Sequence, residues 1–515
     1  MKFSNYLTMF RLRLRFPAVA LLIGIYSALS GCAVNSPPPG VAVAVPPQWY
    51  ASLPKATLTS ASTNGLPHNG SLSCLSQWWH QQNDSLLVEL MDAAQKVSPS
   101  VITARSNILQ AQAALAVSNA ALLPTLNALG GISRAKSAPQ SPAAPAAIAT
   151  AAQLGAQTSW EIDLFGRNQA SANAGSQRLL GSQALWHEAR ILVAAEVASQ
   201  YYSLRSCQQL LAVTSADAQS RRETSRLSEL LTKAGFGAPA TAALARATAA
   251  EGNSRITQQR AECDLNVKAL VALTGWAEPE LKQKLALPIT DFPAAVFEVS
   301  SLPASVLGQR PDVYKAATDV SAASFEVGSA QAQRYPRLSI SGNITGNRVG
   351  TNAATQGFTT WSIGPLALSV PLFDGGVANA NVEAAKARYE DAAGRYRGVV
   401  SQAVREVEQA LVNLQSTADR SGDTQIAADS YRASFAGTEA RYKAGLASLV
   451  ELEEARRVLL AAQSAVVLLE RERRSAWIML YKALGGGWTT ASLPAPLASG
   501  GPSAVCPTGQ RQPCQ

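Results

Sequence analysis

Residues 382–414 read VEAAKARYEDAAGRYRGVVSQAVREVEQALVNL, and this segment decides the fold. Apolar or small side chains recur in it at alternating spacings of three and four residues, which is typical of the seam between packed helices. They are Val382, Ala385, Tyr389, Ala392, Tyr396, Val399 and Ala403, followed after one slip by Val407, Ala410 and Leu414. The pattern predicts a long helix whose seam must be covered by other helices.

The surrounding sequence supports this prediction, because no proline lies between Pro371 and Pro494 in a chain that has 27 of them. Residues 376–443 are expected to form one helix or two end-to-end helices, roughly 100 Å long at about 1.5 Å per residue. Gly445 ends this helix, and a second helix is predicted from about Leu449 to Leu484, so that the two form a long hairpin.

The same layout occurs earlier in the chain, which indicates an internal duplication. The matched landmarks keep their order, at offsets of 212, 208, 210 and 210 residues. They are Pro124 with Pro336, Asp163–Gly166 with Pro371–Asp374, Lys233–Phe236 with Lys443–Leu446, and Gly275 with Gly485. The chain is therefore expected to be one body built from two copies, each carrying one helical hairpin.

The first residues predict export from the cytoplasm. Four cations precede an apolar run, Ala18–Leu29, that is too short to span a membrane, so residues 1–31 are interpreted as a signal peptide. The signal ends in Leu29–Cys32, which resembles a bacterial lipobox and makes Cys32 the predicted lipidation site. Ala33 then implies sorting to the outer membrane. An ordinary signal peptide followed by a chance cysteine is the alternative.

The composition divides the rest of the chain. After the signal peptide we expect a lipidated, extended tether at 32–83, a first repeat at 84–276, a linker at 277–302, a second repeat at 303–487 and a disordered tail at 488–515. The tether and the tail are rich in Pro, Ser and Gly, which favours irregular structure.

Charge and cysteine content exclude several function classes. The formal charge of +9 falls to +5 when the four cations of the signal are removed, and no basic block suggests nucleic-acid binding. No Cys or His cluster predicts a metal site, and no enzyme or cofactor motif is present. Cys207 and Cys263 each lie 28 residues from Gly235, so antiparallel helices would bring them together as a possible disulfide; two free thiols are the alternative.

Four segments change to a period of two residues and predict strands. They are 126–132, 154–164, 338–345 and about 358–372, the last with a change of parity near Pro365. Each is about ten residues long with one apolar and one polar face, as in outer-membrane strands between lipid and a wet lumen. A half-buried soluble hairpin has the same period, but the predicted outer-membrane address favours membrane strands.

Four strands are too few to close a barrel of useful width, and lipid does not tolerate open sheet edges. Several protomers must therefore contribute strands to one barrel, and their helical hairpins must close against each other. The expected architecture is a strand barrel in the membrane continued by a helical barrel in the periplasm.

At this point the sequence resembles a known family, the outer membrane factors, which are the TolC and OprM/NodT-like channels of tripartite efflux and secretion systems. The resemblance rests on Leu302–Pro303, Leu307–Val313, Arg334–Leu338, the Lys-Ala-Gly turns and the Asp-Leu-Phe-Gly element. It implies a mixed α and β membrane protein, a homotrimer with a 12-stranded β-barrel and a 12-helix α-barrel. It also implies docking on a periplasmic adaptor coupled to an inner-membrane pump of the RND type.

The resemblance assigns residues to two sites. The hairpin turns, Gly235 with Phe236 and Gly445 with Leu446, match the tips that contact the adaptor. Glu451 and Glu454 take the places of constricting residues at the periplasmic gate, Val450 that of an apolar gate residue, and Tyr442 that of a tyrosine holding the closed state. The alternative is a solvated helix face in which Glu453 and Glu454 pair with Arg457.

The predicted function is a passive exit duct for drugs or other small solutes, in contact with outer-membrane lipid and extending into the periplasm. A duct for secreted protein is one alternative. A structural lipoprotein that braces the envelope is another, although a brace needs no membrane strands.

Overall fold

The computed structural model describes residues 35–43, 46, 49–51, 79, 84–136, 148–286, 307, 310–351 and 354–488. The chain divides into two compact units. The first is formed within residues 1–42, 109–180 and 316–396, and the second within 43–108, 181–315 and 397–515. Several long helices contribute residues to both units.

Both halves of the chain contain the same run of one helix, two strands and two long helices, and the first half has an additional helix on either side of this run. The first half contains α1 (Ser85–Val97), α2 (Pro99–Ala120), β1 (Thr125–Lys136), β2 (Ile148–Ile162), α3 (Arg167–Lys233), α4 (Pro239–Thr274) and α5 (Glu278–Leu285). The second half contains α6 (Pro311–Ala332), β3 (Arg337–Thr351), β4 (Thr355–Ser369), α7 (Val377–Lys443) and α8 (Leu449–Ala483), followed by a short 3₁₀ turn at Gly485–Gly487.

The first unit contains one antiparallel sheet with the strand order β1-β2-β3-β4. The strands have 12, 15, 15 and 15 residues, longer than the ten or so that the sequence pattern suggests. The register places one set of side chains together on what we call the apolar face: Leu126, Ile132, Leu154, Trp160, Ile162, Leu338, Ile340, Ile344, Trp361, Ile363, Leu366 and Leu368. The opposite, polar face is mostly Asn, Gln, Ser and Thr.

The parity change near Pro365 corresponds to an irregularity in the ladder between β3 and β4. Ile340 pairs with Leu366 but Gly342 pairs with Ile363, so β4 has one more residue than β3 at this point. The Gly364–Pro365 peptide bond is cis. The extra residue keeps Ile363 and Leu366 on the same face of the sheet, which is why the apolar pattern changes parity in the sequence.

Helices α6 and α7 form a core in the first unit. Its buried members are Val320, Ala323, Val327, Ala330, Val382, Ala385 and Tyr389. The start of the predicted α7 seam is thus confirmed, but farther along Ala393 and Val400 are buried, whereas Ala392 and Val399 are only half-buried. The slip in the pattern therefore lies between Tyr389 and Ala393, rather than between Ala403 and Val407 as the sequence suggests.

The described part of the predicted tether lies against this core. The carbonyl of Pro37 accepts a hydrogen bond from the Ser324 hydroxyl at 2.5 Å, and that of Pro38 accepts one from the Tyr389 hydroxyl at 3.0 Å. This described part of the tether forms no helix or strand and follows α6 and α7.

The predicted linker at 277–302 begins with a helix in the second unit. This helix spans Glu278–Leu285 and has a proline in its first turn. Leu281 and Leu285 are buried, and the Leu285 carbonyl accepts a hydrogen bond from Arg205 at 2.9 Å. Pro279 is compatible with this helix start because a first-turn residue needs no backbone donor.

Arg310–Asp312 has a structural role in the second unit. The Arg310 guanidinium donates to the Ala483 carbonyl at 3.0 Å, to Glu406 at 2.8 Å and to Asp312 at 2.7 Å. It therefore ties the start of α6 to the end of α8 and to α7. None of the helices that the structure describes has the length together with the apolar character needed to cross a membrane.

Candidate functional site

The two hairpin turns have closely similar geometry. Gly235 and Gly445 adopt φ of 80° and 76°, a left-handed conformation that glycine adopts without a steric penalty. The amide of Phe236 donates to the Leu231 carbonyl at 2.9 Å, and the amide of Leu446 donates to the Arg441 carbonyl at 2.8 Å. Each long helix thus ends in the same capping arrangement.

Each turn presents one apolar side chain to solvent. Phe236 is 85% exposed and Leu446 is 71% exposed. Neither side chain supports the fold of the isolated chain, because the glycine and the backbone hydrogen bonds already form each turn. The two exposed apolar residues occupy equivalent positions of the two hairpins, where a partner protein could reach them.

The four predicted gate residues lie close to the second turn. Two of them, Tyr442 and Val450, differ in their surroundings. Tyr442 packs against a cluster of Ala245, Leu449 and Leu452, and its hydroxyl lies 3.4 Å from that of Ser228. Val450 is 64% exposed. Tyr442 therefore joins the second hairpin to α3 and α4, whereas Val450 projects into solvent.

The two predicted gate acids are on the surface and have cationic neighbours. Glu451 lies 3.9 Å from Arg441, and Glu454 accepts hydrogen bonds from Arg457 at 2.6 and 2.7 Å. The sequence offered a second interpretation, in which Glu453 and Glu454 both pair with Arg457. The pair of Glu454 with Arg457 is present. Glu453 instead pairs with Arg221 and Arg456.

Glu453 belongs to a buried ion network in the second unit that was not predicted from the sequence. Asp217 accepts a hydrogen bond from Arg221 at 2.9 Å, Arg221 also binds Glu453 at 2.5 Å, and Glu453 pairs with Arg456. Arg456 further donates to the hydroxyls of Ser220 at 2.9 Å and Thr224 at 3.2 Å. The four charged side chains connect α3 to α8 and sum to zero charge.

Burial dominates the electrostatics of this network. Removal from water lowers the pKa of Arg456 below its ordinary value, and the nearby carboxylate of Glu453 raises it by less. The sequence contained a partial signal, because Asp217 and Arg221 are four residues apart and Glu453 and Arg456 three apart, as in helix-surface pairs. That α3 and α8 bring the two pairs together could not be read from spacing within one helix.

The first hairpin is cross-linked. Cys207 and Cys263 form a disulfide with a Cα–Cα distance of 5.5 Å, as their equal distances from Gly235 suggest. Both residues are buried between α3 and α4. At the matching positions of the second hairpin the sequence has Thr417 and Arg473, so that hairpin has no equivalent bond.

The apolar face of the sheet is accessible to solvent over most of its length. The exposed fraction is 80% for Ile132, 74% for Leu154 and 82% for Ile363. Strands β1 and β4 each have one strand neighbour within the described part of the chain, so both outer edges offer unpaired backbone groups. In water, an exposed apolar face and an unpaired strand edge each favour association with other molecules. The sheet of this chain has both.

Other predictions fall on residues outside the described ones. They are the signal peptide at 1–31, the lipidation site Cys32, most of the tether, most of the linker and all but the first residue of the tail at 488–515.

A family model for the outer membrane efflux protein matches the chain twice, over residues 90–276 and 302–486. The chain belongs to the outer membrane efflux protein family. It is an outer-membrane component of efflux, and the family consists of channel proteins rather than enzymes.

Individual proteins are similar to this efflux protein in sequence or in fold. The solvent efflux pump outer membrane protein SrpC of Pseudomonas putida is 27% identical over 412 residues, covering 79% of this chain and 87% of the relative. Nodulation protein T of Rhizobium leguminosarum bv. trifolii is 28% identical over 509 residues, covering 95% and 98%. The CmeC outer membrane channel of Campylobacter jejuni has the same fold, with a TM-score of 0.70 at 22% identity, over 86% of this chain and 96% of that one.

Proposed function

We propose that this efflux protein is the outer-membrane exit duct of a tripartite efflux system and carries drugs or other small solutes. The observation that supports the proposal is the sheet, whose apolar face is exposed and whose other face is polar. An exposed apolar face is stable against lipid, and a polar face is stable against a water-filled lumen. Three protomers would supply twelve strands to one barrel and twelve main helices to its periplasmic continuation.

The internal repeat supplies a register for closing the barrel between protomers. Within the chain, Ile162 of β2 pairs with Leu338 of β3. Adding 208 to the first number and subtracting 212 from the second, the offsets of the repeat at these positions, places Val370, the residue after β4, opposite Leu126 in β1 of a second copy. Both residues are exposed apolar side chains. This pairing leaves no open edge in lipid.

The aromatic contact beside β2 and β3 also has a counterpart when each residue is replaced by its equivalent in the other repeat. Phe165 stacks on Tyr335 with ring centroids 4.9 Å apart. The matching residue in the second repeat, Phe373, is 93% exposed, and the residue matching Tyr335 is Leu123, which is 64% exposed. In the closed trimer, Phe373 of each protomer would cover Leu123 of the next.

Conductance measurements test the duct. Purified protein in planar bilayers should form stable channels, and cysteines placed at Leu368 and Ala128 should cross-link copies into trimers, since the proposed register sets them opposite each other. Absence of conductance would favour a structural envelope lipoprotein.

A strain that lacks the gene tests which substances pass through the duct. When screened over many compounds, it should become sensitive to some of them, whereas a defect confined to a secreted protein would indicate a TolC-like secretion duct.

The proposal includes a lipid anchor at Cys32, motivated by the sequence Leu29–Cys32. Cys32→Ser should abolish labelling with palmitate and block cleavage at this position. Several acyl chains hold a protein firmly on a membrane, but the barrel would hold it as well, so efflux should fall less than twofold. Unchanged palmitate labelling of the variant would exclude this site.

The hairpin turns would contact the periplasmic adaptor of an RND-type pump. Phe236→Ser with Leu446→Ser should lower resistance to the transported compounds at least fourfold, because both exposed apolar contacts are lost. Cross-linking to the adaptor in cells measures the contact directly. Leu265→Ser, which changes an equally exposed leucine on α4, is the matched control. Full adaptor cross-linking by the double variant would place the contact elsewhere.

Glu451, Glu454, Val450 and Tyr442 would form the periplasmic gate. Three copies of the two acids would make a ring of six carboxylates, which favours cations and binds divalent ions. Glu451→Gln with Glu454→Gln should therefore reduce cation selectivity and block by divalent ions in bilayer recordings. Glu472→Gln, an acid farther along α8 that pairs with Arg420, should leave both properties unchanged. A double variant indistinguishable from this control would remove the two acids from the constriction.

A further inference from the structure

The few charges of the sheet are distributed unevenly. The four strands contain five charged residues, Arg134, Lys136, Glu161, Arg337 and Arg348. Glu161 and Arg337 lie at the end of the sheet where the strands connect to helices. The other three, all cations, lie near the opposite end, where β1 connects to β2 and β3 to β4. We call Arg134, Lys136 and Arg348 the distal cations.

The register places all three distal cations on the apolar face. Arg134 pairs with Thr150, Lys136 with Ile148, and Arg348 with Ala152. These partners share a face with Leu154, because they are separated from it by even numbers of residues. No charged residue occupies the polar face at this end of the strands. The charge therefore belongs to the side that would face lipid, not to the side that would face the lumen.

The distance along the strands places the distal cations at the edge of the bilayer. Arg348 lies ten residues beyond Leu338 in β3. At about 3.3 Å per residue and a strand tilt of about 40°, this corresponds to a height of about 25 Å, the height of the apolar band in outer-membrane barrels. Arg134 and Lys136 lie two and four residues farther out than the row of Arg348. They would reach the headgroup region.

The distal cations have no anionic partner in the part of the chain that the structure describes. All three are exposed, and none forms an ion pair there. The connecting segments at 137–147 and 352–353 contain no Asp or Glu. A cation beside hydrocarbon is costly unless an anion accompanies it, so the anion must come from outside the chain.

The geometry points to a binding site for phosphate groups of outer-leaflet lipids, formed by the three distal cations. Guanidinium groups bind phosphate through two parallel hydrogen bonds, and a lysine adds a point charge. The Cα atoms of Arg134 and Arg348 are about 12 Å apart, given strand spacings of about 4.8 Å and rises of about 3.4 Å. Long side chains at this separation can contact two phosphates of one diphosphorylated glycolipid. The inference rests on the proposed function, because that function puts this end of the sheet at the cell exterior.

Lipid binding by the purified, assembled protein tests the site. The probes are lipid A with two phosphates and the same lipid after enzymatic removal of both, and bound lipid is counted by native mass spectrometry. Each basic residue near an anionic lipid surface contributes about fivefold in affinity, so the diphosphorylated lipid should bind about 100-fold more tightly. Added salt should weaken this preference, because it screens exposed charges. This comparison needs no altered protein.

The variant Arg134→Gln/Lys136→Gln/Arg348→Gln should lose the preference for the phosphorylated lipid. Arg337→Gln removes a cation from the other end and the polar face of the same sheet, and it should retain the preference. Equal binding of both lipids by the unaltered protein would overturn the proposal. So would retention of the preference by a triple variant that still migrates as a trimer.

Channel recordings on the same samples separate this inference from the proposed function. Conducting trimers that bind both lipids equally would contradict the lipid site and leave the duct intact. Protein that neither conducts nor prefers the phosphorylated lipid would contradict both. A preference that survives in non-conducting protein, and that the triple variant abolishes, would support the lipid site alone.

Discussion

Ile344→Arg is expected to lower the free energy of unfolding by about 2–4 kcal/mol per protomer, with little assembled trimer in the membrane. Ile344 lies on the apolar face, opposite Ala156 of β2 and Trp361 of β4. It is six residues beyond Leu338 and therefore close to the middle of the proposed apolar band. In the proposed barrel a charge at that depth would face hydrocarbon, and each protomer of the proposed trimer would bear the cost. Urea titration of protein in phosphatidylcholine vesicles measures it.

The neighbouring residue is the control. Asn343 lies on the polar face and is exposed, so Asn343→Arg places the same charge against the proposed lumen. This variant should assemble normally and should shift channel selectivity towards anions. Equal destabilisation by the two variants would mean that the two faces of the sheet do not lie against lipid and water, respectively. The proposed membrane barrel would then be rejected.

Arg456→Met is expected to cost about 3–5 kcal/mol of unfolding free energy, the usual result of removing one partner from a buried ion pair. The network would keep the carboxylates of Asp217 and Glu453 with only Arg221 between them. Ser220 and Thr224 would each lose a hydrogen bond from the guanidinium. The methionine preserves much of the side-chain volume, so the loss reports charge rather than packing.

Two further variants isolate this effect. Arg457→Met removes the adjacent, exposed arginine that pairs with Glu454, and it should leave the unfolding free energy almost unchanged. Arg456→Met combined with Glu453→Leu removes one positive and one negative charge together. It should be more stable than Arg456→Met alone, because no carboxylate is left in excess. A loss in Arg456→Met no larger than that in Arg457→Met would show that the network contributes little.

The sequence predicted the features that repeat with a regular period. The two faces of the sheet follow from alternation along each strand, and even the change of parity at Pro365 was visible. The turns at Gly235 and Gly445 were predictable because a left-handed residue ends each long helix. The Cys207–Cys263 pair followed from equal distances to one turn. Each of these depends on residues within one element or one hairpin.

The features that the sequence did not predict depend on contacts between distant elements. Glu453 pairs with Arg221 and not with Arg457, because α8 packs against α3 in the second unit and brings them together. The helix at Glu278–Leu285 forms because Leu281 and Leu285 become buried, although its sequence contains an early proline. Tertiary burial decides both cases, and local propensity does not encode it.

The disulfide gives the two hairpins different mechanical properties. In the first, a covalent bond between α3 and α4 prevents the helices from sliding past each other at the level of Cys207, so a pull applied at Phe236 is shared by both helices. In the second, the corresponding residues are Thr417 and Arg473, so no covalent bond joins α7 to α8 at this level, and the nearby ion pair of Arg420 with Glu472 can break and re-form under load. A load applied equally to both turns would therefore displace the helices of the second hairpin first, and those helices carry Tyr442, Glu451 and Glu454.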